Sequence, residues 1–350
     1  MPPGPYRIAD IASQAGLSVA TVDRVLHGRA HVSDRARRQV ERAIAELRRQ
    51  ESQLRLDGLS LVLDLVMQSP ERFSAAARHA LEAELPRIRP ANIRSRFHFR
   101  EGGDLDSLAS VLDGIGRRGH VSDGVILKAP DDPVIAAAVD RLRERGIPVV
   151  TLVTDVRRCR RIAYVGLDNV AAGATAAYLL SQWVSAAPGA ILLAFSDSGM
   201  VGEQERLDAF TTTLARLDRK REVVVIGDAG GLDPAMGELV RQVACQRNDI
   251  IAVYSIGGGN RAIAAELRAA GMTPRVHIGH DLDADNDELL RIGVLSAVLH
   301  HELQDDMRRA CEQFLRFHRI LPGAPATALA TPEIVTAYNL PRRLGPTAPR

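Results

Sequence analysis

Apolar positions in this chain follow two different patterns. Over the first fifty residues they recur every three or four positions, the period of short amphipathic helices. Ile8, Ile11, Ala12 and Ala15 share one face of a first helix, and Val22, Val25 and Leu26 share one face of a second. Val40, Ile44 and Leu47 form the stripe of a third. Gly16 separates the first two helices, where a sharp turn suits a residue without a side chain. Ser18 and Ser33 stand where a hydroxyl caps the second and third helices by accepting an orphan backbone N–H. From Leu59 onward, short apolar segments alternate with amphipathic ones. Leu59–Val66, Arg96–Phe99, Gly124–Leu127, Val149–Val153, Ile191–Phe195, Val223–Ile226, Ile250–Tyr254, Val276–Ile278, Leu295–Leu299 and Ile334–Ala337 predict ten strands. Between most of them lie helical stretches such as Asp104–Arg117, Pro133–Arg145, Ala171–Ser185, Pro234–Arg247 and Ala262–Ala270.

The strand segments lack a clean in–out alternation, as expected when helices cover both faces of a parallel sheet. The pattern is therefore α/β, and ten strands divide naturally into two doubly wound sheets. In such sheets ligands bind beyond the carboxyl ends of the strands, so the residues just after each strand are the candidates for chemistry. The expected organisation is a helical head over 1–50, a polar linker over 51–58, and an α/β region over 59–340. The last residues, 341–350, read as a disordered tail.

A small helical bundle with no nucleic acid involved would account for a lone Gly-x-Ser. The whole opening string says more. Asp10-Ile11-Ala12, Ala15-Gly16, Ser18, Thr21-Val22, Arg24-Val25-Leu26, Gly28 and Val32-Ser33 resemble, at fixed spacing, the opening of the lactose-repressor (LacI) family of bacterial transcription regulators. The resemblance implies a helix-turn-helix whose second helix enters the major groove of DNA. On that basis Val19, Ala20 and Arg24 would face base edges, Ser18, Thr21 and Ser33 would bind phosphates, and His27 belongs to the same surface. Arginine suits the first role because its fork can read guanine O6 and N7 together. Asp23 departs from the family's serine, and a carboxylate there must turn from the DNA backbone or pair with a neighbouring arginine. The family's hinge signature of Tyr-x-Pro-Asn is absent, so residues 51–58 are expected to be a simple linker; a hinge helix with Leu54 or Leu56 as the minor-groove wedge is the weaker alternative.

Charge agrees with the motif. Residues 1–50 hold nine arginines against five acids, a net +4, while the total of +2 leaves −2 for the other 300 residues. Phosphate attraction requires the positive charge to sit with the helix-turn-helix. Only Lys128 and Lys220 are lysines, and the three cysteines, Cys159, Cys245 and Cys311, form neither a metal spacing nor a disulfide framework. No cofactor motif is present. No signal peptide opens the chain and no apolar run reaches membrane-spanning length, so a cytoplasmic protein is expected.

Order and spacing over 59–340 resemble the type I periplasmic-binding-protein fold, the effector domain of LacI regulators. In that fold the chain crosses between lobes three times, here expected near Val165-Gly166, Leu299-His300 and Ala328. Lobe 1 would be 59–165 plus 300–328, and lobe 2 would be 166–299 plus 329–340. By the same resemblance Asp155, after the strand Val149–Val153, would take two ligand hydroxyls, as two carboxylate oxygens suit a vicinal diol. Arg206, in Arg206-Leu207-Asp208-Ala209-Phe210, would reach ring or hydroxyl oxygens. Asp281 follows Gly279-His280, His301 falls where the family often carries glutamine, and Phe73 would offer a stacking face. Asn260, after Gly257-Gly258-Gly259, would replace a missing amide. Each residue alone has a plain alternative as a solvated side chain or helix cap; their recurrence after successive strands makes the set stronger than its members. Lys128, after Gly124–Leu127, would favour an anionic ligand together with Arg206. A neutral sugar or polyol ranks above that, because Lys128 can equally pair with Asp131 or Asp132.

The expected function is a ligand-controlled repressor, a homodimer that binds a pseudo-palindromic double-stranded operator. A secreted solute-binding protein would lack the basic head. An α/β enzyme would need a phosphate loop, a Gly-x-Ser-x-Gly nucleophile or a zinc spacing, and none of these occurs.

Overall fold

The head forms as its periodicity requires. In the computed structural model, which describes residues 6–29, 32–56, 59–117, 121–185, 187–196, 199–228 and 233–340, α1 is Ile8–Ala15, α2 is Val19–Leu26 and α3 is Asp34–Leu56. Ile11, Ala12, Val22, Val40 and Ala43 form its buried centre, with Ile8, Val25, Leu26 and Ile44 packed around it. Leu47 lies outside the described side chains. Gly16 closes α1 in the left-handed conformation, at φ 63°, which glycine adopts without a Cβ clash. The expected linker is corrected: α3 continues through Leu56 without a break. Residues 48–56 contain no glycine or proline and are rich in Arg, Gln, Glu and Leu, all good helix formers. Residues 57 and 58, and the expected tail 341–350, lie outside the described residues.

The α/β region begins with β1 (Ser60–Gln68), α4 (Glu71–Glu84), β2 (Asn92–Arg100), α5 (Leu105–Gly114), β3 (Gly124–Lys128), α6 (Pro133–Glu144), β4 (Val149–Leu152) and β5 (Ala163–Leu167). There follow α7 (Asn169–Val184), β6 (Ala190–Ser196), α8 (Val201–Leu217), β7 (Val223–Asp228), α9 (Asp233–Gln246) and β8 (Ile250–Ser255). The chain continues through α10 (Asn260–Ala269), β9 (Val276–His280), α11 (Ala284–Arg291), β10 (Ala297–His300), α12 (Leu303–Phe317), β11 (Ala328–Ala330) and β12 (Glu333–Val335). Two six-stranded sheets result, in the orders β11-β5-β4-β3-β1-β2 and β12-β10-β9-β8-β6-β7. The pairings are parallel from β11 through β5, β4 and β3 to β1 and from β10 through β9, β8 and β6 to β7, and β12 runs antiparallel to β10 with Val298 opposite Val335.

Two strands escaped the sequence pattern. β5 is Ala-Tyr-Val-Gly-Leu, whose glycine weakens a strand signal, and its five residues are buried only because β4 and β11 flank it. β11 is three residues of Ala-Leu-Ala, too short and too poor in β-formers to stand out. Their presence moves the crossings. The chain leaves the first sheet after Leu167 rather than at Val165-Gly166, because β5 stays paired with β11 through Leu167 and Ala330. It returns after His300 and crosses again after Ala330, later than Ala328.

Within the second sheet's layer, α7 lies against α8 at unusually short range. Ala172, Ala176 and Ala177 of α7 are buried in one cluster with Phe210 and Leu214 of α8. A Cβ placed on Gly173 would stand 2.2 Å from the carbonyl oxygen of Arg206, so only glycine permits this spacing. Gly173→Ala should therefore destabilise the α/β region, by about 1–3 kcal/mol for overpacking, despite alanine's helix-propensity advantage of roughly 1 kcal/mol. Urea midpoints of the two proteins test this; a more stable Gly173→Ala protein would mean that the two backbones do not meet.

Candidate functional site

In the head, α2 presents one exposed face. Ser18, Val19, Ala20 and Arg24 are exposed, with Val19 at 54%. Ser18 caps the helix: its Oγ accepts from the Thr21 N–H at 3.2 Å and shares a 2.8 Å hydrogen bond with the Thr21 hydroxyl. Ser33 likewise accepts from the Ala36 N–H at 3.2 Å. Both hydroxyls therefore lie at helix starts, where backbone N–H groups and the helix dipole favour an anion. Asp23 is neutralised within the head, with its carboxylate 3.2 Å from the Arg29 guanidinium and 3.0 Å from His27 Nδ1. His27 is steadied by the same residue, its Nδ1 also lying 2.9 Å from the Asp23 carbonyl. Of the two outcomes expected for Asp23, it pairs with a neighbouring arginine.

The second candidate is a cavity of about 470 Å³ between the two sheets, at the carboxyl ends of their strands. Phe73, Lys128, Arg206, Asp281 and His301 all line it, as does Asn260. Arg206 projects from α8 and is 4% exposed. Its Nε donates to Asn169 Oδ1 at 2.8 Å and its Nη1 to the Ile256 carbonyl at 3.3 Å. Lys128, at the end of β3, has its ammonium 5.3 Å from the Phe73 ring centre, within range of a cation–π attraction. Burial pushes the Lys128 pKa down.

Two residues at strand ends adopt strained backbone beside the cavity. Val153 has φ 65° and Asp281 has φ 61°, left-handed values that an aspartate tolerates better but that are rare for the β-branched Val153, where they cost of order 1–3 kcal/mol. Val153 is held there by its N–H to the Val165 carbonyl at 2.9 Å and by the Tyr164 hydroxyl donating to its carbonyl at 3.0 Å. Asp281 is held by Asn286, whose Nδ2 donates to the Asp281 carbonyl at 2.7 Å.

His301, on the second crossing, connects both lobes. Its Nδ1 is 2.6 Å from Asp306 Oδ2 in α12, and its Nε2 is 3.7 Å from Asp281 Oδ1 beyond β9. Asp306 is fully buried. Burial alone would lower the His301 pKa, but Asp306 first and Asp281 second more than offset it, so the imidazole is held above its ordinary value. His280, by contrast, is kept neutral by burial and by Arg206, with Nε2 2.8 Å from the Tyr254 hydroxyl.

Two expected ligand residues are corrected. Asp155 does not line the cavity. Its carboxylate takes both nitrogens of the Arg161 fork and the Thr151 hydroxyl at 2.6 Å, a bidentate pair that leaves little to offer a diol. Val153 and Thr154 take its place at the wall. Asn260 borders the cavity, but its carboxamide serves the protein: Nδ2 donates to Asn286 Oδ1 at 2.8 Å and Oδ1 lies 3.1 Å from His277 Nε2. Packing over Gly279, where a Cβ would stand 2.8 Å from Asn260 Nδ2, turns that amide away from the ligand space.

Sequence reasoning missed Glu203 and Asn169. Glu203 lines the cavity, accepts from the Ser196 N–H at 2.9 Å, and has its pKa raised by burial against the opposing effects of Arg206 and Lys128. Its position three residues before Arg206, on the same face of α8, was the available signal. Asn169 was hidden because the strand before it was hidden.

The sequence pattern of the bacterial regulatory proteins of the lacI family matches residues 7–48, and that of the periplasmic binding protein domain matches residues 102–311. No curated protein matches the chain. Several solved structures share the fold of its α/β region. GanP, a glucose-galactose binding protein from Geobacillus stearothermophilus, is 16% identical with a TM-score of 0.69, over 81% of this chain and 99% of that one. The Caulobacter myo-inositol binding protein, bound to myo-inositol, is 20% identical with a TM-score of 0.70, over 80% and 94%. A protein assigned as a LacI transcriptional regulator from Bacteroides fragilis is 15% identical with a TM-score of 0.68, over 80% and 98%. At these identities the likeness is one of fold.

The His301 geometry carries a pH prediction. A histidine whose pKa is raised by folding contributes stability that is complete below its unfolded value of about 6.5 and is lost as pH rises through the folded value. The protein should therefore lose stability through this group as pH rises above about 6.5. His301→Gln should flatten that part of the profile and cost about 3 kcal/mol at pH 6, because it leaves the buried Asp306 carboxylate with only the longer Arg309 contact at 3.9 Å. Urea midpoints across this range check both; an unchanged slope in the variant would remove the imidazolium from the account.

Proposed function

This chain belongs to the lacI family of bacterial regulatory proteins and carries a periplasmic binding protein domain, and we propose that it is a repressor of transcription controlled by a small polyhydroxy effector. The observation that carries the reading is the presence, in one chain, of an exposed α2 face bearing Arg24 and of a 470 Å³ cavity walled by two lobes. A solute-binding protein has no use for the first, and a constitutive DNA-binding protein has no use for the second.

Two copies of the head would read the two halves of a pseudo-palindromic site in cytoplasmic DNA. Arg24, Ala20 and Val19 meet base edges, and Ser18, Thr21 and Ser33 meet phosphates, with His27 at the border of that surface. Sugar-like or polyol ligands are supported by neighbours of the same fold, one of them a glucose-galactose binding protein and another bound to myo-inositol. Asp281 is placed to accept hydroxyls, being 40% exposed on the cavity wall. Control requires only that the effector prefer one arrangement of the lobes, and that DNA prefer the other. The protein acts as a binder and performs no turnover.

Fluorescence anisotropy with DNA from the protein's own upstream region, beside random DNA, tests the reading. Specific binding should exceed random binding by about a thousandfold or more at physiological salt. Arg24→Ala should weaken the specific complex by about 5- to 150-fold and random binding much less. Equal affinity of the wild-type protein for both DNAs, across the whole upstream region, would argue against sequence-specific repression.

A further inference from the structure

The unpaired charges of the cavity wall identify a ligand class. Arg206 is 4% exposed, yet its hydrogen bonds go to neutral acceptors, Asn169 Oδ1 and the Ile256 carbonyl. Among the described residues no carboxylate lies within 4 Å of its guanidinium, and Nη2 has no hydrogen-bond partner. A buried guanidinium without a counter-ion is a costly arrangement. Lys128 has neither a hydrogen bond nor an ion pair among these residues; its neighbour is the Phe73 ring. The two carboxylates that follow it in sequence are occupied elsewhere. Asp131 accepts from the Arg157 N–H at 2.7 Å, and Asp132 caps α6 by accepting from the Val134 N–H at 2.8 Å. The plain reading of Lys128, as the partner of one of these, therefore fails.

The carboxylates of the wall do not balance these cations. Asp285 pairs with Arg261 at 2.7 Å, Asp283 caps α11, and Asp281 faces the His301 imidazolium. Glu101 accepts from the Glu71 N–H. Glu203, Glu101 and Asp283 have no cation within 4 Å among the described residues; Glu203 is anchored on the Ser196 N–H, and burial raises its pKa. Backbone adds to the same sign. The helices α10 and α12 begin at the cavity with no side-chain cap, whereas α11 there is capped by Asp283, and first-turn N–H groups of α4 and α8 donate to Glu101 and to the Thr154 hydroxyl. Uncapped first turns direct unsatisfied N–H groups and the positive dipole end into the cleft.

The geometry points to a polyhydroxy carboxylate, a sugar acid, as the effector, with its single negative charge held between Lys128 and Arg206 and its hydroxyls taken by Asp281 and Glu203. This rests on the cleft being the effector site. A carboxylate matches the free edge of the Arg206 fork in one plane. A phosphate ester would bring a second negative charge toward Glu203 and Asp281, and a neutral sugar would leave Lys128 and Arg206 with only the longer-range attraction of the wall carboxylates. The volume suits a six-carbon compound, since small-ligand pockets begin at about 300 Å³.

Calorimetric titration of the full chain decides the matter, with gluconate, glucuronate and galacturonate set against glucose, galactose, myo-inositol and glucose 6-phosphate. At least one acid should bind about tenfold or more tighter than its neutral parent. Lys128→Met should bring that ratio close to one, and Lys128→Arg should restore most of it, with unchanged thermal melts showing that the variants are folded. Tightest binding by a neutral compound would overturn the acid assignment and leave the cleft reading in place. Tightest binding by glucose 6-phosphate would overturn the single charge. No binding by any of the seven compounds would overturn the acid assignment and the cleft reading together. Retention of the acid preference in Lys128→Met would remove Lys128 from the site.

Discussion

A guanidinium that is almost wholly buried must have its donors satisfied by rigid groups, and the way Arg206 is satisfied organises the cleft. Asn169 supplies the acceptor for Nε from the start of α7, immediately after the first crossing, and Ile256 supplies a carbonyl from the end of β8. Those contacts require α8 to lie close on α7, which Gly173 and the alanines beside it allow. Gly202 repeats the device one turn earlier in α8, since a Cβ there would meet Asn169 Nδ2 at 2.9 Å. Small residues at one helix interface thus fix the position of a large charged one at the cavity wall. The residual fork of Arg206, Lys128 and the open helix starts then set the sign of the potential there.

The same cavity is where the chain passes between lobes, and this couples occupancy to shape. Tyr164 and Asn169 flank the first crossing, and the Tyr164 hydroxyl lies within hydrogen-bonding distance of the carbonyls of both Val153 and Leu167, between which its one proton is shared. His301 stands on the second, between a lobe 1 carboxylate at 2.6 Å and a lobe 2 carboxylate at 3.7 Å. The unequal distances matter. The bond to Asp306 is a full charge-assisted hydrogen bond, whereas the contact with Asp281 is a looser attraction that a ligand hydroxyl on Asp281 can tighten or replace. A small displacement of one wall therefore acts directly on the segments that join the lobes. The strain at Val153 and Asp281, both at strand ends on that wall, belongs to the same economy of positions held by surrounding bonds.

The head solves a separate electrostatic problem. A surface intended for phosphate carries an aspartate in the middle of α2, and Arg29 and His27 close around it. Such exposed pairs stabilise little, of order 0–1 kcal/mol, but they remove a repulsive charge from the face that Arg24, Ala20 and Val19 share.

Elements whose signals are local can be read from the chain alone. Three helices, the second and third with capped starts, ten strands of an α/β array, and the charge excess of the head all followed from period, turn residues and counting. So did the approach of Phe73, Lys128, Arg206, Asp281 and His301 to one cavity, because residues that follow parallel strands converge wherever those strands end. Where each side chain's bonds go depends instead on the packed molecule. Asp155 looked available until Arg161 and Thr151 closed on it, and Asn260 until Asn286 and His277 did. Strands β5 and β11 exist because neighbours complete their ladders, not because their own residues prefer the extended state, and α3 runs past the expected linker because nothing in its sequence stops it. Local pattern reports which groups a segment carries; partners distant in sequence decide which of those groups remain free for a ligand.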